Sequence, residues 1–486
     1  MVTSRNKLSL NRKVLSVVAA LLVLSLSFAL AACGGGSSAS TSTTTPTPTP
    51  TPTATTAVQV NMGDSPADWM LAFTMNITSM SLTGSNGSAT VVSSSVPMEM
   101  MHLMGVMQPL AMIKAPQGTY TGASVTVGSA TVMYMDPTTK QPVQKTISGP
   151  MTATVTFSTP VTVGSIPMAM GFDLDLANSV TADTSGNLPM TPMFHVTSGM
   201  QGSGNPADFA NGGIQQMMGS VSSTSGSSFT MSSMQAAQSF TFMTNSSTVF
   251  SGTSMSAMGS GMIVIIDATL QSDGSLMASK VQSMMSSGGV MGGGIMTAVT
   301  GTPPTSLTMV MQNGTGAGMM SSAFAAGVTV NMNGSTTYQI DQDGVDMSGL
   351  PFTPVFDVNH IYPGQSVMPI SSSTMAGGGM GGGMMGGSSM AGTITATEVE
   401  LEMQGLNGTT STAVSSGSTT SFTLTLPAGS AFNTLTGATK VTVFQQTATT
   451  VGGTSPIASG ATVHAFGLLF YDAGQWKMVA ARITAG

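Results

Sequence analysis

The sequence predicts an all-β protein, and three observations lead to this class. From residue 58 onward, segments such as VQVNM, GASVTVGSATVMYM and KVTVFQQTATT alternate apolar residues with Thr, Ser or Asn, as half-buried strands do. Clusters of Gly, Asn, Pro and Ser, typical of turns, separate these segments. Long stretches with helical periodicity are missing, and only the short segments 99–107 and 207–219 are predicted to be helical. A chain of 486 residues with this pattern predicts three or four β domains.

The first 32 residues have the composition of an export signal. Four basic residues precede an apolar stretch of about sixteen residues, which is too short for a spanning helix of roughly 20 residues. Leu30, Ala31, Ala32 and Cys33 follow, and Cys33 is the single cysteine of the chain. These four residues resemble the bacterial lipobox, in which the cysteine is acylated before the signal peptide is removed.

That resemblance implies a mature chain that begins at Cys33 and is held in a membrane leaflet by its acyl chains. Each buried methylene contributes about 0.8 kcal/mol, and two or more chains give stable anchoring. Gly34 follows the cysteine, where an Asp would favour retention in the inner membrane of a two-membrane bacterium. We therefore expect an exported protein in the outer membrane.

The charge composition argues against nucleic acid as a partner. Of the 11 basic residues, four lie in the signal segment, which leaves seven against 18 acidic residues and a net charge of −11. Such a chain repels phosphate backbones, so nucleic acid is not expected as a partner. With Cys33 lipidated, the fold has no disulfide, and we predict no cofactor.

Residues 33–57 form the predicted stalk. After Cys33, this segment consists of Gly, Ser, Ala, Thr and Pro, and it includes an alternating Thr-Pro run. Alternating proline favours extended polyproline II and builds no core. At about 3.1 Å per residue the stalk reaches on the order of 70 Å. It is predicted to lift the folded part away from the membrane.

Three later segments share one order of strand-like parts. They cover residues 212–285, 294–404 and 412–486, and the second contains a Gly/Met-rich loop at 375–392. The last strand-like part of each segment carries the same four-residue motif, which consists of Ala, any residue, a charged residue, and Val or Ile. These motifs lie at residues 278–281, 396–399 and 480–483. The order resembles a bacterial family of unknown function whose tandem modules look like small OB-like β-barrels, which implies three barrel repeats here.

Residues 58–205 differ from the repeats. They contain MGDSPADW (62–69), a methionine-rich turn at 98–110 and APQGTYTGASVTV (115–127). These features resemble a second uncharacterised lipoprotein domain family, and the resemblance implies an immunoglobulin-like or transthyretin-like β-sandwich. Methionines stand here where leucines are usual.

Methionine is the most unusual feature of the composition, with 46 residues. In the segment MEMMHLMGVM, thioethers surround one imidazole, a donor set that suits Cu(I). The alternative is that methionine fills the core as a flexible hydrophobe, as it does in strands throughout the chain. The candidate metal ligands are Met98, Met100, Met101, His102, Met104 and Met107.

Acidic residues provide two weaker candidates. Asp341, Asp343 and Asp346 are spaced as in a calcium-binding loop, although the Glu and flanking helices of an EF-hand are missing and a turn explains the Asp-Gly equally well. Asp173 and Asp175 would share one strand face, which we interpret as a solvated face.

Enzyme signatures are scarce. His102, His195, His360 and His464 lie in four separate segments, and no nucleophile elbow, zinc-protease motif or Walker loop occurs. Charged residues make up only 6% of the chain, so few general acids or bases are available. The sequence predicts a protein that is not an enzyme.

Two functions remain from this reasoning. The first is a lipid-anchored surface protein whose β domains make contact with the envelope, a glycan or another protein. Trp69, in a predicted loop, is the candidate residue for stacking on a sugar, with core packing as the alternative. The second is a copper-binding protein that uses the methionine-rich segments.

Overall fold

Strands make up most of the chain in the computed structural model. The structure describes residues 53–65, 67–181, 186–200, 205–206, 208–233, 235–285, 290–316, 327–342, 345–372, 390–416, 419–452 and 457–485. Cys33, most of the predicted stalk, Asp343 and nearly all of the loop 375–392 lie outside these residues. The all-β class predicted from the sequence is confirmed.

The first ten strands form two sheets, which we call the sandwich (residues 55–200). One sheet has the order β10-β9-β1-β5, with β1 and β9 parallel; in the other, β2 and β6 carry β3, β4, β7 and β8. The strands are β1 (Thr55–Ser65), β2 (Met70–Gly84), β3 (Gly87–Val92), β4 (Val96–Glu99), β5 (Met107–Pro116), β6 (Gly118–Met135), β7 (Pro142–Ile147), β8 (Met151–Val163), β9 (Met168–Asp175) and β10 (Phe194–Met200).

Apolar residues of both sheets share one core. Val58 and Met62 of β1 meet Phe73, Ile77 and Val125 of the second sheet, and all five are completely buried. In β8, alternating Thr residues lie on an outer face, whereas Gln59 and Asn61, which alternate with the core residues of β1, are fully buried.

The next six strands close into a ring, called the first ring (residues 213–285). β11 pairs with β12, β12 with β13 and β15 with both β11 and β16, all antiparallel. A parallel pairing of β13 with β16 closes the ring, and β14 extends that contact along β16. The strands are β11 (Gly213–Ser225), β12 (Ser228–Ser232), β13 (Phe240–Met243), β14 (Val249–Ser251), β15 (Ile263–Leu270) and β16 (Leu276–Met285).

The second ring (residues 294–401) repeats these pairings. β18, β19 and β21 pair antiparallel in order, β21 is parallel to β24, and β23 is antiparallel to β18 and β25. The elements of this region are β17 (Val290–Met291), β18 (Gly294–Gly301), β19 (Pro304–Met311), β20 (Thr315–Gly316), β21 (Gly327–Asn331), β22 (Thr337–Ile340), β23 (Ser366–Ser371), β24 (Met390–Thr395) and β25 (Glu398–Leu401).

The third ring (residues 404–485) has the same order. β26, β28 and β29 pair antiparallel, β29 is parallel to β31, and β30 is antiparallel to β31 and β26. Its strands are β26 (Gln404–Thr410), β27 (Val414–Ser416), β28 (Thr419–Thr425), β29 (Lys440–Gly452), β30 (Thr462–Asp472) and β31 (Gln475–Ala485).

The recurring Ala motif coincides with an irregularity in the last strand of each ring. In the first ring Ala278 pairs with Ala268 and Lys280 with Asp267, so Ser279 is an extra residue, a β-bulge. In the third ring the extra residue is Ala481. The second ring has a break between β24 and β25 at this point. Residues three apart in a regular strand face opposite sides, so these irregularities let both apolar residues of each motif reach the core. The buried pairs are Ala278 with Val281, Ala396 with Val399, and Ala480 with Ile483.

Helices are few and short among the described residues. The predicted helix at 99–107 is reduced to the single 3-10 turn Met101–Leu103. The predicted helix at 207–219 was wrong beyond its first turn, Phe209–Asn211, because Gly212 adopts a left-handed conformation and β11 then pairs with β15. Two α-helical turns, Leu176–Ser179 and Ala431–Thr436, begin at the side-chain caps Asp175 and Ser430.

The sandwich and the three rings pack directly on one another within the unit Thr53–Gly486. One small core joins Leu71 and Met133 of the sandwich to Val310 of the second ring and Ala431 of the third. The second and third rings also share a larger core. Buried polar contacts span the same junctions, for example Gln312 Nε2, which donates to the Leu71 carbonyl at 2.6 Å.

Candidate functional site

A cavity of about 150 Å³ lies where the sandwich and the three rings meet. Side chains from all four parts form its wall, among them His102 of the sandwich, Gln216 of the first ring, Glu400 of the second ring and Asn407 of the third. Cavities of this size hold small molecules of about the size of benzene. Polar and apolar side chains are mixed in the wall, as in many ligand sites.

The methionine-rich segment divides between core and cavity. Met98, Met100 and Met101 are buried in the sandwich core, although Met101 also reaches the cavity wall. Met104 is half-buried and lines the cavity. Met107 is half-buried on β5, against Gly63 and Gly171 of the neighbouring strands. The five thioethers therefore do not all serve one site.

His102 is held by Glu99, which is fully buried. The Glu99 carboxylate accepts backbone N–H bonds from Phe73, Met101 and His102 at 2.9, 3.2 and 2.9 Å. Its Oε2 also lies 3.1 Å from Nδ1 of His102. This arrangement fixes the imidazole at the cavity wall through one ring nitrogen.

His464 on β30 is a second imidazole beside the cavity, and sequence reasoning did not single it out. Its Nδ1 lies 2.7 Å from Oδ1 of Asn407, while Nδ2 of Asn407 donates to Asp68 at 2.9 Å. Because the Asn407 amide nitrogen faces Asp68, its oxygen accepts from His464, and Nδ1 carries the proton. Nε2 is therefore an acceptor, and it is buried without a hydrogen-bond partner in the part of the chain that the structure describes.

Burial, helped by the Arg482 guanidinium, lowers the pKa of His464 to about 4. The imidazole is therefore neutral near pH 7, with its lone pair at Nε2 available. Arg482 itself bridges three parts of the molecule, since it donates to the Gly105 carbonyl and, at 2.9 Å, to Gln215.

Two glycines allow His464 to approach the methionine segment. A Cβ on Gly105 would stand 2.7 Å from Nε2 of His464, and Gly105 has a positive φ of 74°. A Cβ on Gly405 would stand 2.5 Å from both Cε1 of His464 and the sulfur of Met104. The thioether and the imidazole thus meet at Gly405, although 360 positions separate them in the chain.

Three carboxylates form another part of the cavity wall. Asp341, Glu400 and Glu402 all line it, and Gln216 Nε2 donates to Asp341 at 3.1 Å. Oε2 of Glu400 is buried with no hydrogen-bond partner in the described ranges. Burial, with the charges of Asp341 and Glu398, raises the pKa of Glu400 to about 7, and burial raises the pKa of Glu402 well above its usual range.

The candidate calcium loop is described only in part. Asp341 faces the cavity, whereas Asp346 is exposed and accepts the backbone N–H of Ser348 at 2.8 Å, which lowers its pKa. With Asp343 outside the described residues, the calcium loop stays a prediction. Within the described ranges, no three His, Cys, Asp or Glu side chains are grouped so that they could hold a metal ion.

Asp173 and Asp175 of β9 are half-buried rather than fully solvated. The Ser65 hydroxyl donates to Asp173, and Nε2 of His195 lies 3.3 Å from Asp175. Burial raises the pKa of Asp173. These contacts hold the end of β9 to β1 and β10.

Both tryptophans make packing contacts. Trp69 is half-buried against the sandwich core, with its ring 5.7 Å from that of Tyr134 in an edge contact. Trp476 is buried among Phe432, Tyr362 and Tyr471. The large hydrophobic side chains that are exposed in the described part of the chain include no aromatic residue; they are Ile166, Met193, Val249 and Val355.

Fold and cavity together define a class: an all-β protein in which a sandwich and three strand rings enclose a small mixed cavity. Residues 218–282 cover most of the first ring, and they match a family described as a domain of unknown function, DUF5666. No curated protein matches the chain. Among the residues that the structure describes, no helix has the length and apolar character needed to cross a bilayer.

Proposed function

We propose that this chain is an exported lipoprotein, anchored through Cys33, that acts as a non-enzymatic binding protein for a small ligand. The order of basic segment, apolar segment and Leu30-Ala31-Ala32-Cys33 supports the anchor. The cavity supports the binding role, because four separate parts of the fold line it and because burial raises the pKa values of Glu400 and Glu402 in its wall.

The surface favours an internal ligand over a stacked glycan. A sugar platform needs an exposed aromatic face, and Trp69 is half-buried against the sandwich. We therefore place the contact with the ligand in the cavity. The outer membrane is the proposed location, and the stalk would hold the binding unit away from its surface.

The test starts from the native protein, purified from membranes in mild detergent. Mass spectrometry under native conditions should show an N-terminus at Cys33 with acyl chains, and a bound small molecule or metal at about one per chain. The variant Gln282→Trp fills the cavity wall and should remove the bound species. Gln445→Trp, at a half-buried glutamine outside the wall, is the matched control.

Three results would count against the proposal. A native protein that carries no ligand would remove the binding role. A ligand retained in full by Gln282→Trp would place binding outside the cavity. A native chain that still contains residues 1–32 and a free thiol would remove the anchor.

A further inference from the structure

A thioether in the cavity wall and an imidazole packed beside it indicate the class of ligand. We propose that Nε2 of His464 and the sulfur of Met104 bind Cu(I). This inference rests on the proposed binding function and names the ligand at the part of the cavity wall that Met104, Gly405 and Asn407 form. The pair differs from the sequence-based candidate set, in which His102 was the only imidazole.

The imidazole of His464 has the features of a metal ligand. Metal-binding histidines almost always donate their other ring N–H to a fixed acceptor, which orients the ring. Here Nδ1–H of His464 donates to Oδ1 of Asn407 at 2.7 Å, and the Asn407 amide in turn donates to Asp68 at 2.9 Å. The remaining lone pair at Nε2 is buried and finds no hydrogen-bond donor in the described ranges. A metal ion would satisfy it.

The thioether of Met104 supplies the second donor. Its sulfur and Cε1 of His464 lie at the same distance, 2.5 Å, from the Cβ position of Gly405. A larger residue at 405 would separate them, so glycine is what permits the contact. Thioether and imidazole together are soft ligands, and soft ligands select Cu(I) over magnesium or calcium.

The charge of Arg482 adds selectivity. Its guanidinium donates to the carbonyl of Gly105, the residue whose Cβ position lies 2.7 Å from Nε2 of His464. Repulsion by a fixed positive charge is half as large for a monovalent ion as for a divalent one. The site therefore disfavours Zn²⁺ and Cu²⁺ relative to Cu(I).

Met101, His102 and Met403 belong to the same cavity wall. Glu99 fixes His102 as Asn407 fixes His464, so both imidazoles are held through Nδ1. The cavity wall thus contains a second imidazole and further thioethers.

The experiment is an anaerobic titration of the full chain with Cu(I), in competition with bicinchoninate as the chelator. Cys33→Ser serves as the background, because a free thiol would itself bind Cu(I). We expect one Cu(I) per chain. Met104→Leu and His464→Gln should each weaken binding by at least ~10-fold, the smallest loss expected even for a group outside the ligand shell.

Matched controls separate this site from general methionine or histidine binding. Met193→Leu removes an exposed thioether and His360→Gln a partly exposed imidazole, and both should bind Cu(I) as the background protein does. Because His464→Gln alters a buried network, Met104→Leu is the decisive variant. X-ray absorption of the Cu(I)-loaded protein should show nitrogen and sulfur ligands, with the sulfur signal reduced in Met104→Leu.

The failures of the two proposals are distinguishable. No Cu(I) binding, or equal binding by background protein and Met104→Leu, overturns the metal assignment. If the native protein then still carries another ligand that Gln282→Trp removes, the cavity proposal stands. Cu(I) binding that Met193→Leu weakens as much as Met104→Leu also overturns the assignment.

Discussion

The hydroxyl of Thr248 donates a hydrogen bond to the carbonyl of Ala278 at 2.7 Å and accepts the backbone N–H of Asn245 at 3.0 Å. The same pair of contacts occurs in the second ring at Thr336 and in the third at Thr449. In each ring the partner carbonyl belongs to the Ala of the recurring motif, at the irregularity of the last strand. The threonine thus satisfies a carbonyl at the point where the strand is irregular.

Replacing each of these threonines by valine should weaken its ring locally. The change leaves a carbonyl and an N–H without a partner, which costs about 1–3 kcal/mol. Hydrogen exchange of peptides that span residues 245–250 and 276–282 should accelerate in Thr248→Val, with the other two rings unchanged.

Thr248→Ser keeps the hydroxyl and should exchange as the natural protein does. Thr154→Val, on an exposed strand face, should change stability by less than about 0.5 kcal/mol. Unchanged exchange in all three valine variants would contradict this role.

Glu400 should make the protein less stable as the pH rises. Its pKa is about 7 in the folded protein against a usual value of 4.5, so the folded state binds the proton more tightly. The stabilising effect of that proton is complete below pH 4.5 and is lost as the pH rises through 7. The free energy of unfolding falls by at most about 3 kcal/mol over this range. Thermal unfolding at pH 5 and pH 8 should show a smaller drop in Glu400→Gln than in the natural protein. Equal drops in melting temperature in both proteins would indicate that neighbouring groups already stabilise the charged Glu400 carboxylate.

Gln312 should couple the second ring to the sandwich. Its amide donates to the Leu71 carbonyl at 2.6 Å, and Leu71 lies at a bulge of β2 where the ladder is interrupted. Gln312→Leu leaves that buried carbonyl without this donor, at a cost of about 1–3 kcal/mol. Exchange should accelerate at residues 70–73 and 308–312 and stay constant in the third ring. Gln339→Leu, on an exposed side chain, is the control. If hydrogen exchange at residues 70–73 is unchanged, apolar packing alone holds the second ring to the sandwich.

Cys33 should determine membrane attachment. Under the proposed lipid anchor, Cys33→Ser removes the thiol that carries the acyl chains, which give about 0.8 kcal/mol for each buried methylene. Detergent phase partitioning should move the variant to the aqueous phase, whereas Ser38→Ala stays in the detergent phase. A Cys33→Ser protein that remains in the detergent phase would mean that another segment binds the membrane.

Strand patterning predicted much of the fold because alternation of apolar residues with Thr or Ser is a local signal. The segment FTLTLP, for example, is β28 with Phe422 and Leu424 buried. The helix predicted at 207–219 failed since Met217 and Met218 are adjacent apolar residues that read as well on a helix as on a strand. Pairing with Ile265 and Ile266 of β15 decides between them, and no local pattern contains that information.

The sequence by itself determined the β class and the position of the recurring Ala motif, but it missed the first strand of each ring, of which β11 was predicted to be helical. Only the tertiary structure decided which side chains meet. Met104 of the sandwich meets His464 of the third ring, and Asp341 lines the cavity together with Glu400 and Glu402. The reason is physical: alternation depends on neighbours two residues apart, whereas the cavity forms where four parts pack together, and the contacts there depend on non-local burial and on glycines that leave room for a ring or a sulfur.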